Sequence, residues 1–147
     1  MDSKDGYITS KFTSKVSLGI ADYPMCRLAE AYLIEAECLL KGSQPDVVKG
    51  LQILNALRVK RGESQLTSAQ FTSDEIWKER RRELYGEGFA LSDIKRLQKP
   101  LERVGEEHWS DVITLPANSP RMMFPIPADE LDYNKSATSD DQNEYWR

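Results

Sequence analysis

Apolar residues recur every three or four positions in three stretches of the sequence, which predicts amphipathic helices. The first helix should begin at Asp22-Tyr23-Pro24, because proline suits the first helical position, and should run to Lys41 before Gly42. Its predicted buried stripe consists of Met25, Leu28, Ala29, Tyr32, Leu33, Ala36 and Leu40.

The second helix is predicted to open at Ser43-Gln44-Pro45-Asp46 and to close at Gly62, after the basic pair Lys60-Arg61. Its predicted buried face consists of Val47, Val48, Leu51, Leu54 and Leu57. Because the connection between the two helices is short, they should pack antiparallel as an αα-hairpin. This hairpin is the unit of a tetratricopeptide-like repeat, and one such unit needs further partner surface to bury all of its faces.

The third helical stretch combines a clear start with a predicted interruption. Thr72-Ser73-Asp74-Glu75 is a capping box, in which Glu75 lies three residues after Thr72. Gly86 and Gly88 should kink or break the helix, and a helical pattern resumes from Phe89 to Leu97.

The remaining sequence carries few element signals. Residues 98–124 read as a long polar connection, and the prolines of residues 123–127 exclude a central strand there. Residues 1–21 read as an extended lead with room for one strand, and residues 129–147 as an acidic tail. The 147 residues are therefore predicted to form a single all-α domain. It should contain a tetratricopeptide-like helical hairpin, a kinked helix, long irregular loops and little or no strand.

Composition and charge narrow the class of protein. With 39% apolar and 30% charged residues, the chain is globular and not disordered. The net charge of −4 matches that of residues 129–147, which hold six acids and two bases, and it argues against a nucleic-acid partner. Cys26 and Cys38 are separated by about 18 Å of helix rise, beyond disulfide reach, and are predicted to be buried free thiols. The sequence shows no secretory signal, lipid-attachment motif or membrane-spanning run, so a soluble chain is expected.

Two pairs of glutamates are candidates for catalytic acids. Glu79 and Glu83 lie one helical turn apart, which is compatible with a glycoside hydrolase, but three arginines stand between them and favour a structural ion-pair network. Glu30 and Glu37 are about 10.5 Å apart along their helix, which is poor for catalysis. Pairing with Arg27, Arg58 or Arg61 is the favoured interpretation. No catalytic residue is predicted.

The polar connection contains the one histidine and an adjacent tryptophan. His108 has no cysteine or second histidine near it, which argues against a zinc site and against a nucleophilic triad. No metal and no cofactor are predicted. Trp109 offers an aromatic face to a sugar ring or an apolar ligand, with a loop anchor as the alternative. His108 and Trp109 are therefore the candidate ligand contacts.

Four segments, in this order, together resemble the C-terminal region of the SusD/RagB family of outer-membrane nutrient-binding lipoproteins. They are residues 27–38, residues 54–62, residues 76–96, and residues 125–131 with Asn134 and residues 142–145 behind them. Two positions depart from the family pattern. Ala90 stands where the family typically has an arginine, so one ion pair of the kinked helix should be lost. Glu144 replaces the Pro-Gly that normally precedes the terminal tyrosine.

The resemblance implies an all-α, tetratricopeptide-like, non-enzymatic protein. It implies a lipid-anchored lid at the outer-membrane surface that captures oligosaccharides or other nutrients and passes them to a SusC-like TonB-dependent transporter. Family members carry a longer N-terminal half with the lipid anchor and much of the ligand surface, so this sequence is expected to act as helical scaffold and docking surface. The residues expected to form its structural ion-pair network are Arg27, Glu30, Glu37, Arg58, Glu79, Arg80, Glu83, Glu87 and Asp93.

Two other interpretations stay open at this point. A free-standing tetratricopeptide-like module that binds another protein fits the same helical pattern. A glycoside hydrolase is disfavoured by the arginines beside the acids. If the chain exposes apolar surface that longer relatives cover, self-association is also expected.

Overall fold

The computed structural model describes residues 25–104 and 114–147, and these residues are predominantly helical. The helices are α1 Leu28–Lys41, α2 Val47–Lys60, α3 Ser73–Glu83, α4 Phe89–Arg96 and α5 Ala128–Tyr133. Strands β1 (Leu101–Glu102) and β2 (Thr114–Leu115) pair antiparallel, with Leu101 opposite Leu115. Short 3-10 turns cover Ser68–Gln70, Pro120–Met122, Ser139–Asp141 and Glu144–Trp146. The prediction of an all-α fold with little strand is confirmed.

The chain divides into two compact units between Ile76 and Trp77, inside α3. The first unit contains the predicted αα-hairpin of α1 and α2. Asp46 caps α2 with its side chain, which accepts a hydrogen bond from the Lys49 backbone N–H at 3.0 Å. Its backbone N–H donates to the Leu39 carbonyl at 2.9 Å and so closes the turn between the helices.

The hairpin buries a narrower apolar stripe than the sequence pattern predicts. Its buried apolar residues are Ala29, Leu33, Ala36, Leu54 and Leu57. Leu28 and Tyr32 on α1, Met25 before it, and Val47 and Val48 on α2 are exposed instead. Periodicity marks every apolar position on a face, whereas burial also requires a neighbouring element that covers it. The predicted stripes were therefore too wide on both helices.

The first helix also begins later than predicted. Arg27 is the extended residue before the first turn, and Met25 and Cys26 lie outside the helix, while residues 22–24 are outside the described residues. Met25 is 84% exposed, so no packing surface holds an earlier turn in place. Cys26 and Cys38 are both exposed free thiols, so the prediction of buried thiols was wrong.

The loop after α2 is held by side chains that bond to its backbone. Asn55 donates to the Leu66 carbonyl at 3.0 Å and accepts from the Leu66 N–H at 2.7 Å. Arg58, which is buried, donates to the Ser64 carbonyl at 2.8 Å. These bonds satisfy loop backbone groups that are not paired within a strand or helix. They also hold the loop in a course that brings the buried Phe71 to α2.

The second unit contains α4, α5 and the small sheet. Its buried apolar residues are Leu84, Ile94 and Met122. Residues 123–127 are non-helical, and α5 follows them and ends at Tyr133. The strand suggested within residues 1–21 lies outside the described residues. No helix among the described residues has both the length and the apolar character needed to cross a membrane.

Gly50 tests how tightly the first unit is packed. A methyl group at this position would lie 2.9 Å from Phe71 Cζ and 3.2 Å from Leu39 Cβ. Overpacking of this kind costs about 1–3 kcal/mol, and the higher helix propensity of alanine returns about 1 kcal/mol. We therefore expect Gly50→Ala to lower the free energy of unfolding by about 1 kcal/mol, measured by chemical denaturation.

The matched control is the same change in a Phe71→Leu background. Leucine removes the ring atom that the new methyl group meets, so Gly50→Ala should be neutral or stabilising there. If Gly50→Ala destabilises both backgrounds equally, contact with Phe71 is not the cause.

Candidate functional site

The charged segment of α3 and α4 is the most constrained polar feature of the second unit. Thr72 Oγ1 accepts a hydrogen bond from the Glu75 backbone N–H at 3.2 Å, so α3 starts where the capping motif predicts. After α3 ends at Glu83, Gly86 and Gly88 adopt φ angles of 77° and 85°, in the left-handed region. Residues with a Cβ rarely adopt this conformation, so the two glycines end one helix and start the next.

Asp93 lies between two arginines. Its Oδ2 accepts from Arg80 Nε at 2.9 Å, and its Oδ1 accepts from Arg96 Nε at 2.7 Å. Arg80 and Asp93 are each only 4% exposed. The sequence prediction included Arg80 and Asp93, but it missed Arg96 as a partner. The spacing of three residues between Asp93 and Arg96 on one helix was a usable signal.

The other acids of this segment also lie among arginines. Glu79 is buried and accepts a hydrogen bond from Arg82 Nη1. Glu87 is buried and Glu83 is half-buried. The Arg80 guanidinium also lies 6.0 Å from the centre of the Phe89 ring, within cation–π range. Glu79 and Asp93 both accept hydrogen bonds from arginines, so the segment has the geometry of a structural ion-pair network.

The four residues expected to tie the hairpin together lie in different surroundings. Glu30 is in the first turn of α1, and Glu37 pairs with Lys41 at 3.3 Å on the same helix. Arg58 contacts the loop after α2, where Glu63 lies 3.8 Å away in addition to the Ser64 carbonyl. Arg27 is the residue before α1. Lys49 and Glu35 form an ion pair between the two helices, at 3.0 Å on the surface.

A cleft of about 290 Å³ opens beside the two-glycine turn. It is lined by Arg80, Arg81, Leu84, Tyr85, Gly86, Gly88, Phe89, Ala90 and Asp93. The small side chain of Ala90 leaves this space open next to the buried ion pair.

A second concavity, of about 360 Å³, lies on the hairpin of the first unit. Its lining is mainly apolar and consists of Tyr32, Gln52, Ile53, Ala56, Leu57 and Lys60. Pockets of this size with an apolar floor and a few polar groups are typical of binding surfaces. Its position on the exposed side of the hairpin makes it a candidate contact surface for a partner.

Trp77 lies between two cations of the second unit. Arg81 and Lys99 each lie 5.1 Å from the centre of its rings, so both are within cation–π range. Its indole N–H is buried and has no hydrogen-bond partner among the described residues. The ring therefore acts as an apolar and electrostatic contact for its neighbours.

The candidate ligand residues His108 and Trp109 lie outside the described residues. They remain predictions. Within residues 25–104 and 114–147, no group of three or more histidine, cysteine, aspartate or glutamate side chains could hold a metal ion.

Sequence reasoning missed how the C-terminal segment holds residues 123–126. Gln142 accepts from the Ile126 N–H at 2.8 Å and donates to the Ile126 carbonyl at 3.0 Å. Asn143 donates to the Phe124 carbonyl, and the Trp146 indole donates to the Met123 carbonyl at 2.8 Å. Prolines on both sides of Ile126 leave few backbone donors in this segment, so side-chain amides pair with it instead of a strand.

The carboxyl group of Asp141 has a lowered pKa. Its carboxylate accepts from the Thr138 backbone N–H at 2.8 Å and from the Thr138 hydroxyl at 3.1 Å. These two hydrogen bonds, with a smaller effect of the Arg147 charge, hold the pKa of Asp141 below its usual value of 3.8. The ionised form therefore stabilises the 3-10 turn that precedes Gln142.

Comparison with known proteins identifies relatives over nearly the whole sequence. The SusD family model matches residues 2–146. A SusD superfamily protein from Bacteroides thetaiotaomicron VPI-5482 is 32% identical with a TM-score of 0.72, over 85% of this chain and 28% of that one. A SusD superfamily protein from Bacteroides vulgatus ATCC 8482 is 32% identical with a TM-score of 0.69, and the match covers 88% of this chain and 30% of that one. No curated protein sequence matches at a significant level.

A SusD-like carbohydrate binding protein from Bacteroides vulgatus ATCC 8482 is 27% identical, with a TM-score of 0.64 over 81% of this chain and 30% of that one. The present chain thus spans less than a third of the length of each of these structures. The resemblance identified from the four sequence segments is confirmed.

Asp93→Asn tests the buried ion pair. Asparagine keeps the shape of the side chain but leaves the buried guanidinium of Arg80 without a counter-charge, so we expect the free energy of unfolding to fall by about 3–5 kcal/mol. Chemical denaturation followed by circular dichroism measures the change. Asp132→Asn, at an exposed position of α5, is the control and should alter stability by less than about 0.5 kcal/mol. Equal stability of the two variants would contradict a structural role for the pair.

Thr138→Ala tests the acidity of Asp141. The variant removes the hydroxyl donor, so the pKa of Asp141, followed by NMR titration of its carboxyl carbon, should rise towards 3.8. Because folding lowers the pKa of Asp141, the ionised carboxylate stabilises the folded state when the pH is above the pKa of the unfolded chain. This stabilisation is lost as the pH falls through the pKa of the folded state. Thr138→Ser keeps the hydroxyl and should preserve the low pKa. An unchanged pKa in the alanine variant would show that the hydroxyl has no effect.

Proposed function

This chain belongs to the SusD family, and we propose that it acts as the helical scaffold of a non-enzymatic, glycan-binding component of an outer-membrane nutrient uptake complex. The observation that carries this proposal is the similarity over four-fifths of the chain to a solved SusD-like carbohydrate binding protein. The proposed ligand is an oligosaccharide or a related nutrient.

The geometry of the charged segment supports binding without catalysis. Asp93 and Glu79 engage arginines, which is unlike the two carboxyl groups with separate roles that glycoside hydrolysis requires. The proposed function therefore assigns these acids to the framework.

The proposed partner is a SusC-like TonB-dependent transporter, to which the full-length protein would be held as a lipid-anchored lid at the cell surface. The exposed concavity around Tyr32, Ile53 and Lys60 supports a contact with another protein. The same surface favours a second candidate function, a tetratricopeptide-like module whose partner is a protein and whose action involves no sugar. Leu28 and Ile34, which α1 leaves exposed, fit that alternative equally.

Oligosaccharide titration separates these functions. We expect a saturable change in tryptophan fluorescence with at least one member of a panel of neutral oligosaccharides, and a smaller change in Trp109→Phe if the predicted contact on residues 98–124 is correct. Trp77→Phe is the control, because Trp77 is surrounded by Arg81 and Lys99 and should report little of the ligand.

Two results would contradict the proposal. Absence of a saturable response to every sugar would argue for the protein-binding module. Release of shorter sugars, abolished by Glu83→Gln, would show that the chain is a hydrolase.

A further inference from the structure

Exposed aromatic side chains are concentrated on two short segments of the second unit. Phe124 is 77% exposed, Tyr145 is 43% exposed and Trp146 is 46% exposed. Isolated exposed apolar residues are ordinary, but several on adjoining segments mark a contact surface. We call Arg121, Met123, Phe124, Tyr145 and Trp146 the C-terminal aromatic surface.

Hydrogen bonds hold this surface in place. The Trp146 indole donates to the Met123 carbonyl at 2.8 Å, and the Asn143 amide donates to the Phe124 carbonyl. Arg147 Nε donates to the Gln142 carbonyl at 2.9 Å, which fixes the end of the chain. The Trp146 indole and the backbone that carries Phe124 are therefore held in place before any ligand arrives, which reduces the conformational entropy lost on binding.

The rings present faces at a right angle, beside a cation. The ring centres of Tyr145 and Trp146 are 5.1 Å apart with an angle of 85° between the planes. The Arg121 guanidinium lies 4.7 Å from the centre of the Tyr145 ring. Aromatic faces are electron-rich, and a guanidinium carries five N–H donors. Because the guanidinium lies over the Tyr145 ring, it covers one face of that ring. The surface thus combines partly exposed aromatic rings with a cation that carries hydrogen-bond donors.

We propose that the C-terminal aromatic surface is a stacking subsite for one sugar ring of a neutral oligosaccharide. A pyranose ring matches it, because its C–H face carries partial positive charge for the aromatic face and its hydroxyl oxygens accept from Arg121. An apolar helix docked on this surface would instead bury the Arg121 guanidinium and offer it no hydrogen-bond acceptors. The excess of four acids over bases in residues 129–147 disfavours an anionic sugar. This inference rests on the proposed function, and it places a sugar contact at a position distinct from Trp109.

The test uses calorimetric titration of the whole chain with maltohexaose, cellohexaose, xylohexaose and mannohexaose. For the sugar that binds, Tyr145→Ala and Trp146→Ala should each raise the Kd about tenfold, as expected for loss of one aromatic contact. Phe124→Ala should weaken binding without affecting the fold, because its ring is largely exposed. Tyr133→Ala is the matched control, since Tyr133 is 83% exposed on α5 and outside the surface. The Kd of the Tyr133→Ala variant should equal that of the unaltered chain.

The outcomes separate this inference from the proposed function. If the chain binds a sugar and the Tyr145, Trp146 and Phe124 variants bind it as tightly, the subsite is overturned and the proposed function stands. If the unaltered chain binds none of the four sugars, both are overturned. If light scattering shows that these variants change the molecular mass but not the sugar affinity, the surface is an interface between copies of the chain and the subsite is overturned. Circular dichroism confirms that each variant is folded.

Discussion

The buried ion pair between Arg80 and Asp93 fixes how the chain passes from α3 to α4. Both side chains lose most of their hydration, and this cost is offset only when guanidinium and carboxylate meet at hydrogen-bond distance. They meet at 2.9 Å although thirteen residues separate them, and Arg96 occupies the second oxygen of the carboxylate. The chain between the two helices must therefore turn back sharply enough to bring α4 beside α3.

Gly86 and Gly88 make this turn possible, because both adopt the left-handed conformation that side chains with a Cβ avoid. The turn and the ion pair depend on each other. Without the turn the charges are separated, and without the charges the buried Leu84 and Ile94 provide little apolar packing to hold two short helices together. The cleft beside Ala90 shows the same dependence, since its walls are the turn and the ion pair.

Outside the helices, side-chain amides take the place of strand pairing. Asn55 pairs with both backbone groups of Leu66, and Gln142 pairs with both backbone groups of Ile126. Each amide uses one N–H as donor and its oxygen as acceptor, as a neighbouring strand would, and so satisfies a backbone that proline or loop geometry keeps out of a sheet. The C-terminal aromatic surface is held by similar long-range bonds, because the Asn143 amide donates to the Phe124 carbonyl and the Trp146 indole donates to the Met123 carbonyl.

The sequence by itself determined the helices, the αα-hairpin, the capping of α3 by Thr72 and the break at Gly86 and Gly88. These features follow from spacing and backbone preference, which act over a few residues. Only the tertiary structure decided which apolar residues are covered. Leu33 is buried while Tyr32 and Leu28 on the same predicted stripe are exposed, because burial depends on which element lies opposite. It also decided that Gln142 binds Ile126, since a hydrogen bond between residues sixteen positions apart has no local signal. Interactions within one or two helical turns can be predicted from residue spacing. Contacts between segments distant in sequence depend instead on how the chain packs in three dimensions.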